Sequence, residues 1–319
     1  MLYHVQNPHG GEVYSHPVSL DFSANINPLG TPEAVQQAVI NSLPLLFQYP
    51  DPYCRELVAA IARHEGVNED TILCGNGAAE LIFALCSALK PKKALLPVPS
   101  FSEYHSALSS ADCTVEYYTL GQEDDFALTE AFLPVLEAFD GQLLMLCNPN
   151  NPTGQVIPPA LLRKIAARCH EKHIFLFVDE CFLDLAEEDE RDSVLDLVRA
   201  GEKKVFLLKA FTKSFAMAGL RLGYGFLADG ELRLKMQSQS QPWNVSIPAQ
   251  EAGCAAFGAE REPYLREARK LISREREYLR EGLQRLGFYV FPSEANFLLF
   301  KRTDRGDGGE LYESLLSRG

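Results

Sequence analysis

From Thr71 to Ala228 the chain alternates short, unbroken apolar runs with segments whose apolar residues recur every three or four positions. The runs are TILC (71–74), KALLPV (93–98), TVEYYTL (114–120), QLLMLC (142–147), IFLFV (174–178), KVFLLK (204–209) and RLGYGFLA (221–228). Their length and their bounding turn residues predict strands. Most are apolar at successive rather than alternate positions, which implies burial on both faces, as in a mostly parallel sheet covered by helices. Between them, AAELIFALCSALK stops before Pro91, and PALLRKIAARCHEK opens on prolines suited to a first helical turn. The pattern predicts an α/β fold with a three-layer α/β/α domain.

The flanks read differently. Residues 1–22 form an irregular arm, and Thr31-Pro32 starts a helix ending near Leu43. A long charged helix, about 261–287, leads to FYVFP and ANFLLF and then to a short helix ending at Gly319. The expected division is an arm and part of a small domain at 1–44, a large domain at 45–240, and a small α+β domain at 241–319.

Composition narrows the function. The 319 residues are 46% hydrophobic and 23% charged, enough for a large core and a cleft. A formal net charge of −13 with no local Lys/Arg cluster disfavours nucleic acid and anionic membranes as partners. The eight cysteines never come closer than twelve residues, so no metal or redox spacing exists and no metal site is expected. Most lie in apolar runs, as buried reduced thiols do. With neither a leader-like N-terminus nor an apolar stretch of membrane-spanning length, the expected location is the cytoplasm.

The unusual polar residues cluster just after the C-terminal ends of the predicted strands, the edge where open α/β sheets bind ligands. TILC is followed by Gly75-Asn76-Gly77, KALLPV by Pro99-Ser100-Phe101, and QLLMLC by NPNNPTG (148–154). IFLFV is followed by Asp179-Glu180, and KVFLLK by AFTKSF with Lys213. Gly75-Asn76-Gly77 opens a helix, so bare amides and the helix dipole suit a phosphate, although an unliganded glycine turn reads the same way. Asp179 ends an apolar run and needs a cationic partner; a protonated pyridine nitrogen would serve, and a helix cap is the plainer alternative. At Lys213, desolvation and the nearby Arg221 would depress the pKa and free the amine to attack an aldehyde, whereas a lone lysine is more often a solvated surface charge.

NPNNPTG, then VDE (178–180), then TKSFAMAGLRLGY (212–224) resemble, in that order, the fold-type I pyridoxal-phosphate (PLP) enzymes of aminotransferase class I/II. The resemblance spans almost the whole chain. It implies Lys213 as the Schiff-base lysine and Asp179 on the pyridine nitrogen, with Asn151 on the ring hydroxyl and Phe101 stacked on the ring. It further implies Arg221 and the amides of Asn76, Gly77 and Ala78 on the cofactor phosphate. Tyr49, in QYPDPY, matches a tyrosine that reaches this phosphate from the partner subunit, which implies a homodimer.

HGG (9–11) with LDFSANINPLG (20–30) is similar to the threonine-phosphate decarboxylase family of cobalamin biosynthesis, a relative of histidinol-phosphate aminotransferase. That likeness implies a small phosphorylated amino-acid or amine substrate contacted by His9, Gly10, Asn25 and Asn151. The implied reaction is decarboxylation of O-phospho-L-threonine to (R)-1-aminopropan-2-yl phosphate. A histidinol-phosphate-type aminotransferase and a non-catalytic PLP-fold ligand-binding module stay open. The chain departs from the pattern at Ala210, where relatives carry a phosphate-binding hydroxyl, with Lys209 as the basic residue before it. Position 182 is Phe where many aminotransferases have tyrosine. The arginines that grip the substrate carboxylate in relatives fall beyond Gly319, so the small domain is expected to be incomplete.

Overall fold

A computed structural model describes residues 10–11, 13–14, 18–187, 193–303 and 308–319. Every predicted apolar run becomes a strand: β1 (Ile72–Gly75), β2 (Lys93–Val98), β3 (Thr114–Thr119), β4 (Leu143–Cys147), β5 (Phe175–Asp179), β6 (Val205–Ala210) and β7 (Gly223–Leu227). They form one sheet in the order β1-β7-β6-β5-β4-β2-β3. Neighbours from β3 to β6 are parallel, and β7 runs antiparallel to both β6 and β1. β4, β5, β6 and β7 are buried at every position, which is why their sequences are continuously apolar.

Alternate strand residues feed two separate cores. Leu144, Leu146, Leu176, Val178 and Leu207 pack on one face with α2 (Arg55–Glu65), α5 (Phe132–Ala138), α6 (Pro159–Glu171) and α7 (Leu195–Arg199). Leu143, Met145, Phe175, Phe177 and Phe206 pack on the other with α3 (Ala78–Leu89), α4 (Ser102–Ser110) and α9 (Gly230–Gln237). The architecture is therefore the three-layer one that the pattern predicts.

α1 (Glu33–Ser42) packs on α10 (Ile247–Ala256), which also packs on α2. The long helix α11 (Arg261–Arg285) leads into a second, two-stranded antiparallel sheet of β8 (Phe288–Val290) and β9 (Phe300–Arg302), followed by α12 (Gly308–Leu316). Of the ANFLLF segment only Phe300 lies in β9. The preceding residues are committed to local bonds: Ser293 Oγ donates to Phe297 O at 2.7 Å and accepts from Ala295 N–H at 3.1 Å. Among the described residues no helix is long and apolar enough to cross a membrane.

Candidate active site

β5 and β6 run parallel with Asp179 opposite Leu208, and the short helix α8 (Phe211–Ser214) carries Lys213 just past the end of β6. The two residues thus leave the same sheet edge from adjacent strands. Asp179 is only 5% exposed. Its Oδ1 accepts from the Cys181 N–H at 2.9 Å, which is the local cap that the plainer reading expects. Its Oδ2 accepts from the Tyr104 hydroxyl at 2.8 Å, a bond brought in from α4 that a cap does not need. Burial pushes the Asp179 acid up, and the hydrogen bonds from Cys181 and Tyr104 oppose it. Among the described residues no cationic side chain bonds this carboxylate.

Lys213 Nζ donates to the Ala24 carbonyl at 2.5 Å and lies 5.5 Å from the centre of the Phe182 ring. Burial lowers its pKa; Cys181 opposes that, Arg221 adds to it, and Asp21 opposes it. The N-terminal arm is bonded onto this turn. The Asn27 N–H donates to Lys213 O at 3.1 Å, Asn27 Nδ2 to Ser214 O at 2.8 Å, and Thr31 Oγ1 to Ala216 O at 2.9 Å. Asn25 has a left-handed φ of 50°, and its carbonyl accepts from Asn296 Nδ2 at 2.9 Å. A Cβ on Gly10 would collide with the Ser23 carbonyl, and the Gly11 N–H donates to Ser23 Oγ at 2.7 Å. The glycines of HGG therefore rest on the turn that precedes Ala24 and Asn25. His9 lies outside the described residues.

On the β7 side, Gly77 has φ 82° and ψ 161°, and a Cβ there would collide with Nη2 of Arg221. A Cβ on Gly223 would come 2.5 Å from Ala78 N. The missing side chains let a guanidinium and the first turn of α3 share one small space. The Asn76 N–H already donates to Glu80 Oε2 at 2.5 Å, and the Gly77 N–H to Gly75 O at 2.8 Å. The amides of α3 that helix geometry leaves without a partner inside the helix are those of Ala78, Ala79 and Glu80. Of the three amides expected to face a phosphate, only that of Ala78 stays available.

Asn151 stands in the loop after β4, and its carboxamide takes no hydrogen bond from the described residues. Its neighbours hold the loop: Asn150 Nδ2 donates to Pro99 O at 3.0 Å, and the Ile157 N–H to Asn148 Oδ1 at 2.9 Å. Phe101 caps α4 and meets Tyr104 edge-on at 5.6 Å. Tyr49 is 75% exposed and stacks on Trp243 at 4.4 Å. Lys209 turns away from the sheet edge into a buried pairing with Glu65 at 3.2 Å and Asp184 at 3.6 Å. Tyr104 and Asn27 are the site residues that the sequence patterns do not single out.

The donor set fits PLP. A protonated ring nitrogen is the cation that the buried Asp179 lacks, and an aldehyde is the natural partner of a lysine whose ammonium form burial disfavours. A phosphate suits Arg221 beside the bare first turn of α3. A fold with this topology and an acid and a lysine on adjacent strand ends defines the class as PLP-dependent enzymes. The model of the family described as aminotransferase class I and II matches residues 17–319, and the chain belongs to that family. Its cofactor is PLP.

Threonine-phosphate decarboxylase of Salmonella typhimurium is 37% identical to the chain over 289 residues, which cover 90% of this chain and 78% of that protein. Histidinol-phosphate aminotransferase of Geobacillus sp. is 31% identical over 307 residues, covering 94% and 80%. The crystal structure of the histidinol-phosphate aminotransferase from Clostridium acetobutylicum superposes with a TM-score of 0.83 at 30% identity, covering 94% of this chain and 87% of that one.

Proposed function

We propose that the chain decarboxylates O-phospho-L-threonine to (R)-1-aminopropan-2-yl phosphate. The observation that carries this reading is the arm: the segment containing HGG and NIN is hydrogen-bonded directly onto the Lys213 turn. A substrate held by Gly10, Asn25 and, beyond the described residues, His9 would lie against the lysine. The Salmonella decarboxylase supports the same reading through its likeness along 90% of the chain. PLP, when bound, supplies an electron sink that lets a bond to the amino-acid Cα break.

The residues divide the work around that chemistry. Asp179 would keep the proton on the ring nitrogen, Asn151 would meet the ring hydroxyl, and Phe101 would pack on the ring. Arg221 and the Ala78 N–H would hold the cofactor phosphate. Gly10 and Asn25 would grip the substrate phosphate and so orient its carboxylate for release as carbon dioxide, and Lys213 Nζ would deliver a proton to the Cα left behind. Phe182 brings no hydroxyl to the ring. In the proposed domain division, residues 45–240 bind the cofactor while 1–44 and 241–319 supply the substrate side. The proposed assembly is a homodimer in which Tyr49 serves the partner's site.

The structural match to a histidinol-phosphate aminotransferase favours a second reading, amino transfer from histidinol phosphate. The deciding experiment supplies the PLP-loaded protein with O-phospho-L-threonine and measures carbon dioxide, and in parallel with histidinol phosphate and a keto acid and measures amino transfer. Carbon dioxide release with negligible transfer is expected. Transfer without release would replace the first reading by the second.

A further inference from the structure

Tyr104 is fully buried on α4, edge-on to Phe101 at 5.6 Å and to Phe177 at 5.7 Å. A phenylalanine would fill this space without bringing a hydroxyl into an apolar cluster, so the hydroxyl calls for an explanation beyond packing. It donates to Oδ2 of Asp179 at 2.8 Å and also meets the Cys147 thiol. With the Cys181 N–H on Oδ1, the carboxylate is held from two different elements, and two fixed donors on two oxygens fix its plane. Phe101 caps α4 and Tyr104 stands three residues on in its first turn, edge-on to it, so the ring assigned to the cofactor and the hydroxyl on Asp179 share one helix end.

We propose that Tyr104 is a positioning residue that orients Asp179 toward the cofactor's ring nitrogen and keeps it ionised. The proposal rests on the reading of Asp179 given above. The titratable groups facing this carboxylate are Tyr104 and the thiols of Cys147 and Cys181. The Cys147 thiol donates to Pro149 O at 3.2 Å, and burial pushes both thiols upward, so neither supplies a charge. Burial drives Asp179 toward its neutral form, and the Tyr104 hydroxyl works against that drive.

Tyr104→Phe removes the hydroxyl alone. In cofactor-free protein carrying 13C-labelled aspartate, the Asp179 carboxyl signal is identified by its loss in Asp179→Asn. In Tyr104→Phe its titration midpoint should rise by about one pH unit, the tenfold change expected for losing a hydrogen bond to a charged group. Cofactor affinity at neutral pH should fall by about the same factor. Phe177→Leu loosens the same packing but keeps the hydroxyl; it should lower the melting temperature and leave the titration in place. An unmoved midpoint in Tyr104→Phe, or an equal displacement in Phe177→Leu, overturns the proposal. Should Tyr104→Phe fail to fold, 13Cζ-tyrosine in the otherwise native protein decides: the Tyr104 signal must differ between the native chain and Asp179→Asn, and identical signals overturn it. Asp179→Asn that binds PLP like the native protein would sink the Asp179 reading itself. Weakened binding in Asp179→Asn alongside an unaffected Tyr104→Phe would sink only the role of Tyr104.

Discussion

Gly77 is tied to its conformation twice over. Its φ of 82° with ψ of 161° lies where residues with a Cβ are strained by about 1–3 kcal/mol. A methyl group there would also drive into the Arg221 guanidinium. Gly77→Ala should therefore lower stability by about 1–3 kcal/mol and, by displacing Arg221, weaken PLP binding at least about tenfold. Thermal melting and equilibrium titration with PLP check the two effects, and full affinity in a strained but folded variant would separate Arg221 from the cofactor phosphate. Lys213 makes a prediction of another kind. Only the neutral amine attacks an aldehyde, and burial disfavours the charged form, so the amine is released at a lower pH than in an ordinary lysine. Cofactor capture by the apo protein should accelerate with rising pH through a midpoint below 10.5. A rate that follows an ordinary lysine up to that value contradicts the geometry.

Between elements, the arm and the lysine turn form one hydrogen-bonded unit, with Asn27 at its centre. Asn27 is 2% exposed; its Nδ2 serves Ser214 O, and its Oδ1 accepts from the Leu29 N–H at 3.0 Å. Asn27→Ala leaves the Ser214 carbonyl without that donor, a loss of about 1–3 kcal/mol. A lower melting temperature and slower PLP capture should follow together, and a melting change with unaltered capture would mean that the arm stabilises the fold without shaping the lysine turn. The strands and the residues at their ends were legible because continuous apolarity is a local property and Asp179 and Lys213 end such runs. Asn27 was not: the NIN motif offers two asparagines, and the inward turn of the second goes with a left-handed backbone at Asn25 whose carbonyl meets the distant Asn296. Tyr104 escaped for a related reason. In FSEYHSAL it keeps the helical period of a core residue, and nothing local shows that its hydroxyl meets a carboxylate 75 residues away in sequence. Nor could the choice among the Asn76, Gly77 and Ala78 amides be read, because it turns on Glu80 folding back onto Asn76.

For the whole molecule, the decisive feature is a surface rather than a cleft. Leu43, Leu46, Phe47 and Tyr49 are 52%, 56%, 86% and 75% exposed along one short stretch. Apolar side chains so concentrated on a surface are the kind that a partner molecule covers. In the proposed homodimer a second copy covers them and Tyr49 serves its neighbour's site, and this proposal can be tested by mixing inactive proteins. Tyr49→Ala damages only the partner's site if the tyrosine crosses over, whereas Lys213→Ala damages only its own. In a mixed dimer, the Tyr49→Ala subunit keeps its lysine and receives an intact tyrosine from the other chain, so one of the two sites is whole. Random reassociation of equal amounts makes half the dimers mixed, and activity should recover to about a quarter of the native rate. If Tyr49 instead served its own chain, each subunit of the mixed dimer would carry one defect in its own site, and the mixture would show only the average of its inactive parents.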